Sequence, residues 1–526
     1  MPPPMPPPMP HDLRFALATL ARQGLITLGR PDRMLQQIVA LRTWGYTLAG
    51  ELRGSAARVP DRTAVIDERG SLTYRALVGR TDRLARGLER VAGLRAGHRV
   101  GILCRNHGGM VEVMVAASAL GADPVLINTG MSMPQLTTVA EQQDLHLLCH
   151  DAEFTDLVSG VAPEVIRLSM SSVEELIAST PAGSLRRPRS DGRTIVMTSG
   201  TTGAPKGALR PVPPGMGALA SIISRIPLRA GERVVISAPL FHTWGYAALQ
   251  MAFALSATIV LQRRFDPPTA LRTIVDNRAT ALFVVPVMLQ RLLEIEPVLT
   301  DLRVVAASGS SLPGGLAARF MDAYGDVLYN LYGSTEASWA SIATPAELRT
   351  APGTAGRPPR GTRVAILDRD GRDVPTGHVG RIFVGNAMLF EGYTSGGGTE
   401  MRGGLLGTGD VGHVDEAGLL YVDGREDDMI VSGGENVFPH EVEDLLAALP
   451  LVREVAVVGV PDNEFGQRLA AYMVIRDGAK LDADDVRAYV RHKLARYCVP
   501  RDVVFLDELP RNATGKVVTR DLAGRG

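Results

Sequence analysis

Three cysteines in 526 residues is few. Cys104, Cys149 and Cys498 stand far apart and are odd in number, so their spacing gives neither a disulfide framework nor a metal cluster. A reducing, cytoplasmic compartment is the simplest reading. An excess of one charge is also lacking: Lys plus Arg and Asp plus Glu are each 56. No long basic run occurs either. That argues against a sequence-independent nucleic-acid binder, which needs basic excess to neutralise phosphates. A membrane span needs ~20 predominantly apolar residues. One stretch invites that reading, Val234 to Gln262, which holds no Asp, Glu, Lys or Arg. Pro239 and Gly245 interrupt it near its start, and Ser256-Ala257-Thr258 splits the rest, so a buried helix followed by a buried strand is expected. The opening MPPPMPPPMPHDLRF lacks the basic and apolar parts of a secretion signal and reads as a polyproline-like tail.

What is present is ordinary for a soluble protein, at 45% hydrophobic and 21% charged residues. The length is well past the ~250 to 300 residues at which one core stops growing, so at least two domains are expected. Residues 13 to 42 carry apolar residues at helical spacing, Leu13, Leu17, Leu20 and then Leu35, Ile38, Leu41. Arg14, Arg22, Arg30, Arg33 and Arg42 are interleaved, while Gly24, Gly29 and Pro31 break the pattern. Helices packed on the domain are expected, with a peripheral membrane-surface contact through residues 11–50 as the alternative. From about residue 60 short apolar runs alternate with helical patterns, which predicts an α/β architecture with largely parallel sheets. Predicted strands 194–197, 234–237, 303–306 and 327–331 each run into a loop rich in Gly, Ser, Thr or His. In open α/β sheets ligands gather at the carboxyl ends of strands, so these loops are expected to line one site. From about residue 361 the pieces become shorter and β-like, and the last hundred or so residues read as a compact α+β unit.

The first of those loops is TSGTTGAPKG, residues 198–207. It is not the common nucleotide loop: Pro205 stands where that motif has Gly, and Gly207 where it has Ser or Thr. Its chemistry still suits phosphate. Glycines expose backbone N–H groups, hydroxyls donate, and Lys206 neutralises charge. With YGSTEA (332–337), TGD (408–410), GREDDMIVSGGENVFPHEVE (424–443) and PRNATGK (510–516), in that order, the loop resembles the signature of the adenylate-forming superfamily. That superfamily includes acyl-CoA ligases, peptide-synthetase adenylation domains and firefly-type luciferases. The resemblance covers about residues 50 to 526, and the chain looks most like a bacterial fatty acyl-CoA ligase.

The resemblance implies an α/β fold: a large N-terminal domain of parallel-rich sheets with helices plus a small β-barrel-like part, and a small mobile C-terminal α+β domain. The expected division is 1–50 for the Pro-rich tail and helical segment, 51–426 for the large domain and 427–526 for the small one, hinged at Asp427. The implied reaction joins a carboxylate to AMP with release of pyrophosphate; coenzyme A then takes the acyl group. ATP, Mg²⁺ and CoA are the expected cofactors, with a small-molecule carboxylic acid as partner, no nucleic acid, and the oligomeric state open. Thr198, Ser199, Gly200, Thr201, Thr202, Gly203 and Lys206 would hold phosphates. Tyr332, with Gly333 and Ser334, would face adenine; the Thr335 hydroxyl would meet the α-phosphate, and Glu336 would hold Mg²⁺. Gly309, Ser310 and Ser311 would add adenine-side contacts, Asp410 and Arg425 would take the ribose, and Gly433 and Gly434 would line the thiol's tunnel. Lys516 would reach the acyl carboxylate, and His242 would gate it. No carboxylate stands in Phe241-His242-Thr243-Trp244-Gly245 to hold an ammonium, which favours an unsubstituted acid. Ala247, Ala248, Val287, Ala337 and Ser338 suggest an apolar pocket, hence a medium- or long-chain fatty acid. The alternatives are an acyl-AMP ligase serving a carrier protein and a non-catalytic acyl or nucleotide binder.

Overall fold

The computed structural model describes residues 10–26, 30–198, 205–432, 435–462 and 466–523. Two parallel-rich sheets dominate. The first has eight strands in the order Ser341–Ala343, Leu328–Tyr332, Val304–Ala307, Ala281–Val284, Arg233–Ile236, Thr258–Leu261, Thr63–Asp67 and Gly70–Thr73. Its inner six are mutually parallel and its two edges antiparallel. The second has six strands in the order Ile166–Ser169, Leu145–His150, Arg99–Leu103, Asp123–Leu126, Ile195–Thr198 and Lys206–Leu209, with only the last pair antiparallel. Strands such as Ala281–Val284 and Val304–Ala307 are unbroken apolar runs because both faces are covered. Helix Gly108–Ala119 is apolar for the same reason except at Ser118 and at Glu112, which pairs with Arg80. All but one of its twelve residues are buried, and it touches strands of both sheets.

The uncharged stretch resolves into helix Thr243–Ala254 and strand Thr258–Leu261, joined through Ser256 at φ 50°. The part expected to be barrel-like is an antiparallel sheet of five strands: Arg363–Leu367, Gly380–Gly385, Leu405–Val414, Met401–Arg402 and Leu420–Arg425. Its pairing order is open, and bridges Gly356–Leu420 and Ala208–Tyr393 tie it to the large sheets' side. The fourth sheet is built on the long hairpin Val452–Asp462 and Gly466–Ile475, with Asp502–Phe505 running parallel to its second arm. Helices Pro439–Ala447 and Ala483–Lys493 cover it. Helix Leu48–Arg58 runs straight through the division expected at residue 50.

The last sheet is packed onto the rest. A Cβ at Gly515 would lie 2.6 Å from Val287 Cγ1, one at Gly130 2.8 Å from Ala513 Cβ, and one at Gly314 2.3 Å from the Asp444 carbonyl oxygen. Arg453 pairs with Glu294 at 2.8 Å across the same boundary.

Candidate active site

The loop between strands Ile195–Thr198 and Lys206–Leu209 carries Ser199, Gly200, Thr201, Thr202 and Gly203, which lie outside the described residues, as do Gly433 and Gly434. Its two ends are fixed. Thr198 faces Lys206 in the ladder, and the Thr198 hydroxyl donates to the Lys206 carbonyl at 3.2 Å. The Lys206 ammonium stands 5.5 Å above the Tyr393 ring.

A cavity of about 820 Å³ opens at the carboxyl ends of the large parallel strands. Gly309, Ser310, Ser311, Tyr332, Gly333, Ser334, Asp410, Arg425, Asp427 and Lys516 all line it, from loops far apart in sequence. The Tyr332 hydroxyl donates to Asp410 Oδ2 at 2.5 Å, and Arg425 faces the other oxygen at 3.8 Å. Asp410 and Arg425 are direct partners in the antiparallel ladder, which sets that approach. Burial raises the Asp410 carboxyl, opposed by the Tyr332 hydroxyl and by the Arg425 and Lys516 charges. Each carboxylate oxygen keeps a lone pair for further donors. Asp427 is exposed between strand Leu420–Arg425 and strand Ile430–Ser432, where the chain leaves one sheet for the next.

Beside this cavity the Thr335 hydroxyl meets that of Thr243 at 2.9 Å. Glu336 accepts from the Tyr393 hydroxyl at 2.9 Å through Oε1. Its second oxygen suits a hard cation such as Mg²⁺. His242 caps helix Thr243–Ala254: Nδ1 accepts from the Trp244 N–H at 3.5 Å, and the Cβ that Gly309 lacks would touch the ring at 3.9 Å. Burial, assisted by the Lys516 charge, lowers the imidazole to about 4, so it is neutral near pH 7. The Lys516 turn is tied by Asn512. The Asn512 side-chain oxygen accepts from Thr514 N at 3.0 Å, Thr514 Oγ1 at 2.6 Å and Lys516 N at 3.0 Å.

Two residues here escape sequence reasoning. Arg210 is buried, donates to the Thr335 carbonyl and, at 2.6 Å, to Ser338 Oγ, and has no carboxylate ion-pair partner among the described residues. Burial lowers its guanidinium to about 10. Strand parity is the signal that finds it, since Arg210 shares the inward face with Ala208, also buried. Tyr393 has no such signal, because its partner Glu336 is 57 residues away.

The expected acyl-lining residues are partly committed elsewhere. Ala248 and Ala337 are fully buried in separate core clusters. Ser338, at φ 64°, holds Arg210 and donates to the Met388 carbonyl. Trp244 packs against Phe283 at 5.2 Å and donates to the Val284 carbonyl at 3.1 Å.

Elsewhere, Cys104, His107 and Asp151 meet in the interior. Asp151 is already held by His107 Nε2 at 2.8 Å, Arg263 at 2.7 Å and the Arg105 N–H at 2.8 Å, and burial pushes the Cys104 thiol well up. The arginine and the protonated thiol both oppose a cation there.

The family model described as AMP-binding enzyme matches residues 52–394, and that described as AMP-binding enzyme C-terminal domain matches residues 441–516. The chain belongs to the AMP-binding enzyme family. It is 33% identical to a feruloyl-CoA synthase of Amycolatopsis sp over 476 residues, 89% of this chain and 96% of the relative. The o-succinylbenzoate CoA synthetase MenE from Bacillus subtilis, solved with the acyl-adenylate OSB-AMP, superposes with TM-score 0.80 at 29% identity, covering 90% of this chain and 97% of that one. The amide bond synthetase McbA from Marinactinospora thermotolerans gives 0.81 at 30% identity, covering 91% and 99%. The adenylate-forming fold expected from the motifs, a large part with parallel sheets and a smaller C-terminal part, is the fold observed.

Proposed function

We propose that this chain is an AMP-forming acid–CoA ligase, which activates a carboxylic acid as its acyl-adenylate and passes the acyl group to coenzyme A. The observation that carries the reading is the single cavity onto which Tyr332, Asp410 and Lys516 converge. An acid carboxylate and an ATP polyanion repel each other, so a site that joins them needs cations and oriented donors. In this reading Asp410 and Arg425 hold the ribose, and Tyr332 presents its ring to adenine. The Thr335 hydroxyl, Lys206 and the loop that begins at Thr198 take the phosphates. Lys516 neutralises the attacking carboxylate, while His242, being neutral, adds no competing charge beside it. Mg²⁺ held on Glu336 would supply charge neutralisation to the phosphates when bound. The boundary at Asp427, with 427–526 swinging about it between the two half-reactions, is part of the same proposal.

We further infer that the acid bears an aromatic ring. Its support is the feruloyl and succinylbenzoate chemistry of the relatives. A medium- or long-chain fatty acid is the competing reading, carried by the apolar residues Ala247 and Val287. Pyrophosphate release across a panel of aryl-substituted and straight-chain acids tests the choice. Greater kcat/KM for the aryl acids supports it, and greater kcat/KM for the fatty acids overturns it.

A further inference from the structure

Among the described residues, seven of the seventeen exposed large hydrophobic side chains fall between Leu13 and Val39. They lie on helices Pro10–Arg22 and Pro31–Trp44 and in the turn that follows the first. Both helices are docked by their inner faces. In the first, Thr19 and Leu20 are buried, and just beyond it the Ala230 N–H donates to the Gln23 carbonyl at 2.8 Å and Arg58 to the Gly24 carbonyl at 2.9 Å. In the second, Leu41 packs against helix Leu48–Arg58, so closely that a Cβ on Gly54 would meet it at 3.3 Å. Packing on the domain is therefore satisfied, yet the outer faces are not polar.

On the first helix Leu13 and Leu17, one turn apart, are 60% and 47% exposed. On the second, Met34 and Ile38 form one exposed i, i+4 pair and Leu35 and Val39 the next, with Leu35 63% and Val39 55% exposed. At about 100° per residue these four cover an arc of roughly 140°, with exposed Arg42 near its middle one turn further on. On the first helix exposed Arg14 lies about 60° round from Leu17, at the flank of that pair. Between Leu13 and Trp44 stand five arginines and one carboxylate, Asp32, in a chain whose total charge is zero. Asp32 is already paired with Arg30 at 2.8 Å.

We propose that these two outer faces form an interfacial anchor that seats the protein on an anionic lipid surface. The side chains fit that occupant. Leucine, isoleucine, valine and methionine enter the acyl boundary, while Arg14 and Arg42 extend their aliphatic stems along it and place their charges among the headgroups. A second copy of the chain fits worse: a two-fold contact would bring these arginines against the same basic stripe, with no unpaired carboxylate on it among the described residues. No described helix is long and apolar enough to cross a membrane, so the contact is peripheral.

Flotation of the full chain with phosphatidylcholine vesicles, with and without phosphatidylglycerol, tests this. The protein is expected to float with the anionic vesicles and much less with the neutral ones. The double variant Leu35→Ser/Val39→Ser should lose at least about tenfold in partitioning, the scale set by two exposed aliphatic side chains. Arg14→Gln/Arg42→Gln should flatten the salt dependence of binding. Both variants should keep acid-dependent pyrophosphate release in vesicle-free buffer, which shows that they fold. Absence of flotation with anionic vesicles would overturn the proposal. So would a dimer in light scattering that the serine variant dissociates while its vesicle binding is unchanged.

Discussion

Arg210 combines two facts that seldom go together: a guanidinium removed from water and no carboxylate ion-pair partner among the described residues. Burying a cation is costly, so its two hydrogen bonds to the Thr335 carbonyl and Ser338 must be worth keeping for something other than stability. They pin the backbone of the turn that presents Thr335 and Glu336. Arg210→Met should therefore leave the melting temperature unchanged or raised, while adenylation falls by about tenfold to a hundredfold, the effect of misplacing a reacting group by about an ångström. Thermal melting and pyrophosphate exchange measure the two; a large fall in melting temperature with activity intact would refute it. His242 makes a prediction in pH. Its folded pKa, about 4, lies below the ordinary 6.5, so the unfolded chain takes the proton first as pH falls. Its contribution to stability is full above about pH 6.5 and is lost as pH falls towards about 4. His242→Gln removes that dependence. The gap in urea midpoint between wild type and variant should therefore shift against wild type on going from about pH 7 to about pH 5, and a constant gap would contradict it.

The turn 512–516 shows how an element, rather than a side chain alone, sets the chemistry. Asn512 gathers three donors onto one oxygen, and Gly515 sits at φ 84° with Val287 where its Cβ would be. Gly515→Ala strains the backbone and pushes the turn off Val287, carrying Lys516 with it. Adenylation should fall about a hundredfold or more, with thioester formation from supplied acyl-adenylate reduced much less. Equal losses in both would refute the placement. At this scale the sequence was highly legible. Each strand that feeds a loop expected to hold ligand lies within one or two residues of its predicted span, because buried parallel strands are unbroken apolar runs bounded by polar turns. What could not be read is the order of strands. Asp410 and Arg425 could be quoted as separate motifs, but the ladder that places them side by side is a fact of pairing. Tyr393 was missed because its partner is far away in sequence, whereas the inward parity of Arg210 could be read but not the Thr335 carbonyl it holds.

Across the whole molecule, the arrangement joins two bodies of chain over one cavity. Lys516 reaches it from the turn that follows the last sheet, while every nucleotide-facing group expected from the motifs and described in the structure comes from the large sheets and the antiparallel one, or from the loops that leave them. This division predicts separable half-reactions. Lys516→Ala should lose adenylation by several orders of magnitude and keep thioester formation from supplied acyl-adenylate, since the CoA step does not need that charge on the incoming carboxylate. Loss of both to the same degree would place the lysine in a structural role. The central claim, that one site makes the acyl-adenylate and hands it to CoA, is tested most directly by following all products of one incubation. The protein would be given an aryl-substituted acid, ATP, Mg²⁺ and CoA. The account predicts acyl-CoA, AMP and pyrophosphate in equal amounts, with no standing acyl-adenylate. Acyl-adenylate that accumulates while CoA stays unconsumed would contradict it.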